Sequence, residues 1–262
     1  MSDFLPSTPA PEGADDHVMA AWLATAAGEL LVDVRRGGLE GKELKDAGDA
    51  ASHELLMELL AQHRPDDAVL SEEGPQGGVV KDRLSADRVW IVDPVDGTRE
   101  FSEPPRDDWA IHVALWERGE LVAGAVAQPG LGETFSTGHP PVVPPRAEGP
   151  VRIVASRSRP PAFVHALVEH LGGELVPMGS AGAKVISVAR DVSDAYVHAG
   201  GQYEWDSAAP VAVARAAGLH TSRIDGSPLV YNQEDVWLPD LVVCRPEYAE
   251  RILAFLAEHG TD

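Results

Sequence analysis

Residues 89–98, Val-Trp-Ile-Val-Asp-Pro-Val-Asp-Gly-Thr, read as an apolar strand that delivers two carboxylates and a hydroxyl into one tight turn. Asp93 and Asp96 stand three apart, Pro94 restricts φ between them, and Gly97 permits a sharp bend. Such a turn can aim both carboxylates, a main-chain carbonyl and the Thr98 hydroxyl at one point. Hard divalent cations such as Mg²⁺ require that kind of all-oxygen environment.

Two further acidic segments could complete the set. Val69-Leu70-Ser71-Glu72-Glu73-Gly74 places paired carboxylates at the end of another short apolar run, and Trp205-Asp206-Ser207-Ala208-Ala209-Pro210 puts an Asp at the start of a helix, where it could also serve as an N-cap. Gly179-Ser180-Ala181-Gly182-Ala183-Lys184 is a small-residue turn opening a helix. Free N–H groups there would face a phosphate, and Lys184 would add a point charge.

These groups need a scaffold. The pattern predicts an amphipathic helix from about Ala14 to Arg36, with Val18, Trp22, Ala26 and Leu30 on one stripe and Gly37-Gly38 ending it. A second helix is expected from about Asp49 to His63. Strands follow near Val69, over Val89–Val92, Trp109–Trp116, Leu121–Gln128 and Glu133–Ser136, forming a mainly antiparallel sheet backed by the two helices. The Pro-rich stretch 138–145 is the best boundary in the chain. Beyond it strands and helices alternate to a closing helix over Pro246–His259, an α/β half. The expected organisation is a disordered lead-in over residues 1–14, a half carrying the metal motifs over 15–140, and a half completing the site over 150–262.

Bulk properties narrow the function classes. A formal charge of −21 argues against polyanion binding through a broad basic surface. No apolar run reaches the ~20 residues that span a bilayer. Residues 1–16 carry neither the basic nor the apolar region of a signal peptide. Cys244, the single cysteine, excludes an intrachain disulfide and suits a reducing cytoplasm.

The ordered set SEEG, WIVDPVDGT and WDSAAP resembles the inositol monophosphatase-like superfamily of Mg²⁺-dependent, Li⁺-sensitive phosphatases, over nearly the whole chain after the first dozen residues. The resemblance implies a mixed α+β fold layered αβαβα, of the inositol monophosphatase and sugar phosphatase type. It implies two or three Mg²⁺ held by Glu72, Asp93, the Val95 carbonyl, Asp96 and Asp206. Lys45-Asp46-Ala47-Gly48-Asp49 aligns with a further family element, in which Asp49 with Thr98 would orient the nucleophilic water. Asp46 stands where the family commonly has Thr.

Three features resemble the 3′(2′),5′-bisphosphate nucleotidase, or CysQ-type, branch. They are Arg99-Glu100-Phe101 after the motif, the turn ending in Lys184, and Ser156-Arg157-Ser158-Arg159, with Arg159 where His is common. That branch implies substrate contacts from Glu72, Asp96, Gly97, Thr98, Arg99, Ser180, Gly182, Lys184 and Asp206. The implied activity is hydrolysis of adenosine 3′,5′-bisphosphate to AMP and phosphate, with 3′-phosphoadenylyl sulfate as a second substrate, in clearing a by-product of sulfate assimilation. The alternatives are a broad inositol-1-phosphate or fructose-1,6-bisphosphate phosphatase and, from a different class, a phosphate-binding module without catalysis. The partner would be a small phosphorylated nucleotide, with no nucleic-acid polymer and no membrane, in a family where homodimers are common.

Overall fold

The computed structural model describes residues 6–74 and 82–261. In chain order the elements are α1 (Asp16–Arg36), α2 (Gly41–His63), β1 (Ala68–Ser71), β2 (Arg88–Asp96), α3 (Thr98–Phe101), β3 (Ala110–Glu117), β4 (Glu120–Gln128) and β5 (Glu133–Ser136), followed by β6 (Val151–Ser156), α4 (Ala162–Leu171), β7 (Gly173–Met178), α5 (Ala181–Ala189), β8 (Ala195–Tyr203), α6 (Glu204–Ala216), β9 (His220–Ser222), β10 (Trp237–Cys244) and α7 (Pro246–His259). One sheet runs β1-β2-β3-β4-β5 and the other β7-β6-β8-β10-β9. The first is antiparallel except for the parallel β1–β2 pair. In the second, β6 lies parallel to β7 and β8, while β10 runs antiparallel to β8 and β9.

Period-2 patterning sorts the strands' side chains into different cores. Trp90 and Val92 of β2 pack with Leu23, Leu31 and Leu56 of α1 and α2. The alternate residues Val89 and Ile91 pack with Val185 and Ile186 of α5 and with Val211 and Val213 of α6. The second sheet repeats the division: Leu241 and Val243 join that central cluster, whereas Val242 and Cys244 face Leu167 of α4 and Ile252 of α7. Five layers result, helices–sheet–helices–sheet–helices, and α5 and α6 form the middle one. Burial of Cys244 pushes its thiol up to about 12, so it behaves as a small core residue.

Two expectations are corrected here. The second helix starts at Gly41, not near Asp49, which places Asp49 in mid-helix. Two glycines in its first turns weaken the local helical signal, but buried Leu44 anchors them and tertiary packing requires one of them: a Cβ on Gly48 would lie 2.5 Å from the Phe101 ring. The helix of the WDSAAP segment starts at Glu204, so Asp206 is its third residue and not its N-cap. Of the lead-in, residues 1–5 lie outside the described residues, and Ser7 and Thr8 hydrogen-bond to Glu29 and Trp22 of α1. That helix is long and apolar enough to cross a membrane by length and composition, but Met19, Leu23, Ala27 and Leu31 are buried in the α1–α2 core.

Candidate active site

The site forms where β1 and β2 end beside α5 and α6. Parallel pairing of Ser71 with Val92 sets the end of β1 next to Asp93. Within the turn, Asp93 Oδ1 accepts the Val95 N–H at 3.0 Å and the Pro94 carbonyl accepts the Ser52 hydroxyl of α2 at 2.8 Å. Gly97 then takes φ +82°, a left-handed conformation, and caps α3. The Thr98 hydroxyl lies within hydrogen-bond reach of two acceptors, the Val95 carbonyl at 3.1 Å and the Asp49 carboxylate, and its single proton can serve one of them at a time.

Asp96 is the hub between the two halves of the chain. Its Oδ1 accepts the Ala181 N–H at 3.0 Å, and its Oδ2 accepts the Gly182 N–H at 2.6 Å and the Ser180 hydroxyl at 2.5 Å. The Ser180 oxygen in turn accepts the Ala183 N–H at 2.9 Å. The N–H groups expected to be free for a phosphate are therefore engaged inside the protein. An anion does sit at the N-terminus of α5, where the helix dipole favours one, but it is the Asp96 carboxylate. Lys184 is buried and points back, donating to the Gly179 and Ser180 carbonyls at 3.1 and 2.6 Å. It thus holds the turn from within.

His112 of β3 is a site residue that sequence reading missed. Its Nε2 lies 3.1 Å from Asp96 Oδ2 and its Nδ1 lies 3.0 Å from the Trp205 carbonyl, at the start of the helix that carries Asp206. The sequence signal was slight: His112 occupies the alternate face to Ile111 and Val113, a register that usually meets solvent. Asp108, whose Oδ2 accepts the Gly179 N–H at 2.6 Å, and Glu204, which accepts the Asn232 and Gln233 N–H groups at 2.7 Å each, were also missed.

The electrostatics are those of carboxylates crowded with little positive charge among them. Burial, then Glu72, Asp96 and Asp206, push Asp93 well above the usual carboxylate range. Burial followed by its acidic neighbours raises Glu72 to about 7, and burial with Asp96 raises Asp206 to about 6. Asp49 is lifted to about 6 by burial, Glu73 and Asp46, against the Thr98 hydrogen bond. Asp96 alone moves the other way. Burial opposes its charge, but the His112 charge and the hydrogen bonds from His112, Ser180 and Gly182 outweigh that and hold it at about 2.

No three His, Cys, Asp or Glu side chains among the described residues are gathered into a chelating group as they stand. The donor set nevertheless fits a hard divalent cation. It is all oxygen, its carboxylates hydrogen-bond or repel one another, and added positive charge would relieve that repulsion.

Glu72, Asp93, Asp96 and Asp206 lie close enough to act on one another's charge, and Thr98 contacts both the Val95 carbonyl and Asp49. Arg99 stands apart: its side chain is more than half exposed and pairs with Glu103 at 3.1 Å. Asp46 pairs with Lys42 on the exposed side of α2. Arg159, Lys184 and Asp206 line a cavity of about 570 Å³ bounded by α5, the end of β6, β8 and the start of β10.

The close approach of α5 to His112 makes a direct test. A Cβ on Gly182 would fall 2.0 Å from His112 Nε2. Gly182→Ala is therefore expected to displace the imidazole from Asp96, lowering stability by about 1–3 kcal/mol and kcat on the order of 10²-fold. Wild-type turnover in this variant would show that the contact has no part in catalysis.

The family model for inositol monophosphatases matches residues 16–261. A 3′-phosphoadenosine 5′-phosphate phosphatase of Mycobacterium leprae (strain TN) is 47% identical over 260 residues, which cover 93% of this chain and 94% of that protein. The 3′(2′),5′-bisphosphate nucleotidase CysQ of Escherichia coli (strain K12) is 32% identical over 202 residues, covering 73% and 81%. Among solved structures, CysQ of Bacteroides thetaiotaomicron superposes with a TM-score of 0.72 at 26% identity, over 87% of this chain and 96% of that one.

Proposed function

The chain belongs to the inositol monophosphatase family and is a phosphoric monoester hydrolase, and from that premise we propose that it removes the 3′-phosphate of adenosine 3′,5′-bisphosphate, releasing AMP and phosphate. The observation that carries this reading is the 47% identity to a phosphatase named for that nucleotide, spread over almost the whole of both chains. The 570 Å³ cavity sharing Asp206 with the carboxylate cluster is of a size to take a nucleoside.

Enzymes of the family are metal-dependent, generally on Mg²⁺. In this chain Glu72, Asp93, the Val95 carbonyl, Asp96 and Asp206 would hold two or three such ions. When bound, these would neutralise the phosphoryl oxygens and lower the pKa of a water. Asp49, at about 6, is poised to accept a proton near neutral pH, and its contact with Thr98 would fix the orientation in which it does so. Ser180 and Gly182 act by fixing Asp96, and Lys184 acts by fixing the turn that carries them. The net charge of −21 supports a small-molecule substrate over a nucleic-acid polymer, and the single buried Cys244 fits a reducing, cytoplasmic setting.

Phosphate release from adenosine 3′,5′-bisphosphate, inositol 1-phosphate and fructose 1,6-bisphosphate, compared side by side with Mg²⁺, tests the reading. The expected result is a kcat/KM at least tenfold higher on the nucleotide, about 1.4 kcal/mol in transition-state binding. Comparable values on all three would replace the nucleotidase with a broad sugar-phosphate phosphatase.

A further inference from the structure

The cavity wall holds a group of aromatic rings that the phosphate chemistry does not use. Tyr203 and Trp237 both line the cavity and are 43% and 46% exposed. Tyr203 stacks on Trp205 with centroids 4.8 Å apart and planes 14° from parallel, and Trp237 meets Tyr203 edge-to-face at 5.4 Å and 79°. The indole of Trp237 also lies against bare backbone. Gly201 has φ +90°, and a Cβ there would come within 1.6 Å of the ring. His198 on the same strand is held by its Nε2 contact to the Gly201 carbonyl at 2.8 Å, which fixes the wall beneath the rings.

Leaving two large aromatics half-exposed beside each other is unfavourable in water, and such a patch usually marks a binding surface. These rings are immobilised by their neighbours, so little conformational freedom would be lost on binding. Asp206, the proposed metal ligand, follows Trp205 directly in the chain. One cavity therefore joins the phosphoryl-transfer chemistry to an aromatic wall.

We propose that Trp237, supported by Tyr203 and Gly201, is the platform on which the nucleobase of the substrate stacks, making Trp237 a specificity-determining residue. This rests on the bisphosphate-nucleotide reading above. Every base has a π-face, so stacking favours a nucleotide over a sugar phosphate without reading the base edge. The platform is assembled from three segments: the end of β8 supplies Gly201 and Tyr203, the start of α6 supplies Trp205, and the start of β10 supplies Trp237.

The test is the ratio of kcat/KM on adenosine 3′,5′-bisphosphate to that on inositol 1-phosphate, with AMP affinity by calorimetry as a second readout. Trp237→Ala is expected to lower the ratio and weaken AMP binding by on the order of tenfold. Trp237→Phe should retain most of both, because it keeps a ring. If the folded Trp237→Ala protein keeps the wild-type ratio and AMP affinity, the platform is overturned while the nucleotidase reading stands. A wild-type ratio near one would instead remove the nucleotidase reading and the platform with it.

Discussion

Asp96→Asn is expected to abolish turnover, with kcat falling at least on the order of 10³-fold, while the chain still folds. The carboxylate is buried and accepts three hydrogen bonds, from the Ser180 hydroxyl and the Ala181 and Gly182 N–H groups, with the His112 imidazole 3.1 Å away as a counter-charge. An amide keeps the shape but loses the charge and turns an NH₂ toward donors on at least one side. Its proposed share of the metal ions would lose its anion. The fold should survive, because the layers are held by the three apolar clusters and not by this residue. Phosphate release under saturating Mg²⁺, together with circular dichroism, decides the matter. Near-normal turnover by folded Asp96→Asn would sink the metal assignment.

The largest effect on stability is expected at Asp194, far from the chemistry. Asp194 is fully buried and accepts from the Arg152 backbone and guanidinium at 2.8 to 3.1 Å, with Arg146 and Arg245 at 3.2 Å each. It thereby ties β6, the end of the connector and the β10–α7 junction to the start of β8. Asp194→Ala leaves Arg245, itself buried, without this counter-charge. That should cost about 3–5 kcal/mol, a fall in Tm of roughly 10 °C for a chain of this size. A Tm within about 2 °C of wild type, less than 1 kcal/mol on that scale, would show that Asp191 and solvent compensate fully.

The same carboxylate gives a pH dependence of defined sign. Burial works against its charge, but the hydrogen bonds and charge of Arg152, with Arg146, outweigh that and hold its pKa below the ordinary value. A depressed carboxylate contributes its full stabilisation above the unfolded-state pKa of about 3.9 and loses it as pH falls through the lower folded value. Wild-type Tm should therefore drop below about pH 4 more steeply than that of Asp194→Asn, which has no proton to take up there.

Much of this protein was legible because its chemistry is local in the chain. Pro94 and Gly97 dictate the turn between Asp93 and Thr98, and the unbroken apolar run Val89–Val92 dictates the strand that leads into it. Both follow from the backbone preferences of adjacent residues, which travel with the sequence. The order of the acidic motifs was sufficient to imply the family and the layered fold.

The partners of those motifs were not legible. The donors to Asp96 come from residues 84 to 86 positions away, and His112 reaches it only because β3 pairs with β2 so that Asp93 faces His112 in register. Sequence reading offered the α5 N-terminus to a phosphate, and the fold gave it to Asp96. It offered Lys184 and Arg99 as substrate cations, and packing turned one to its own helix turn and the other to Glu103. The start of α2 was misjudged for the same reason, since Gly48 is kept for the Phe101 ring and against local helix propensity. The sequence by itself determined which groups can do the chemistry, because residue type and adjacent backbone geometry are local properties. Only the tertiary structure decided which neighbour each group meets, because hydrogen bonds and charge interactions depend on distances that arise when segments far apart in the chain pack together.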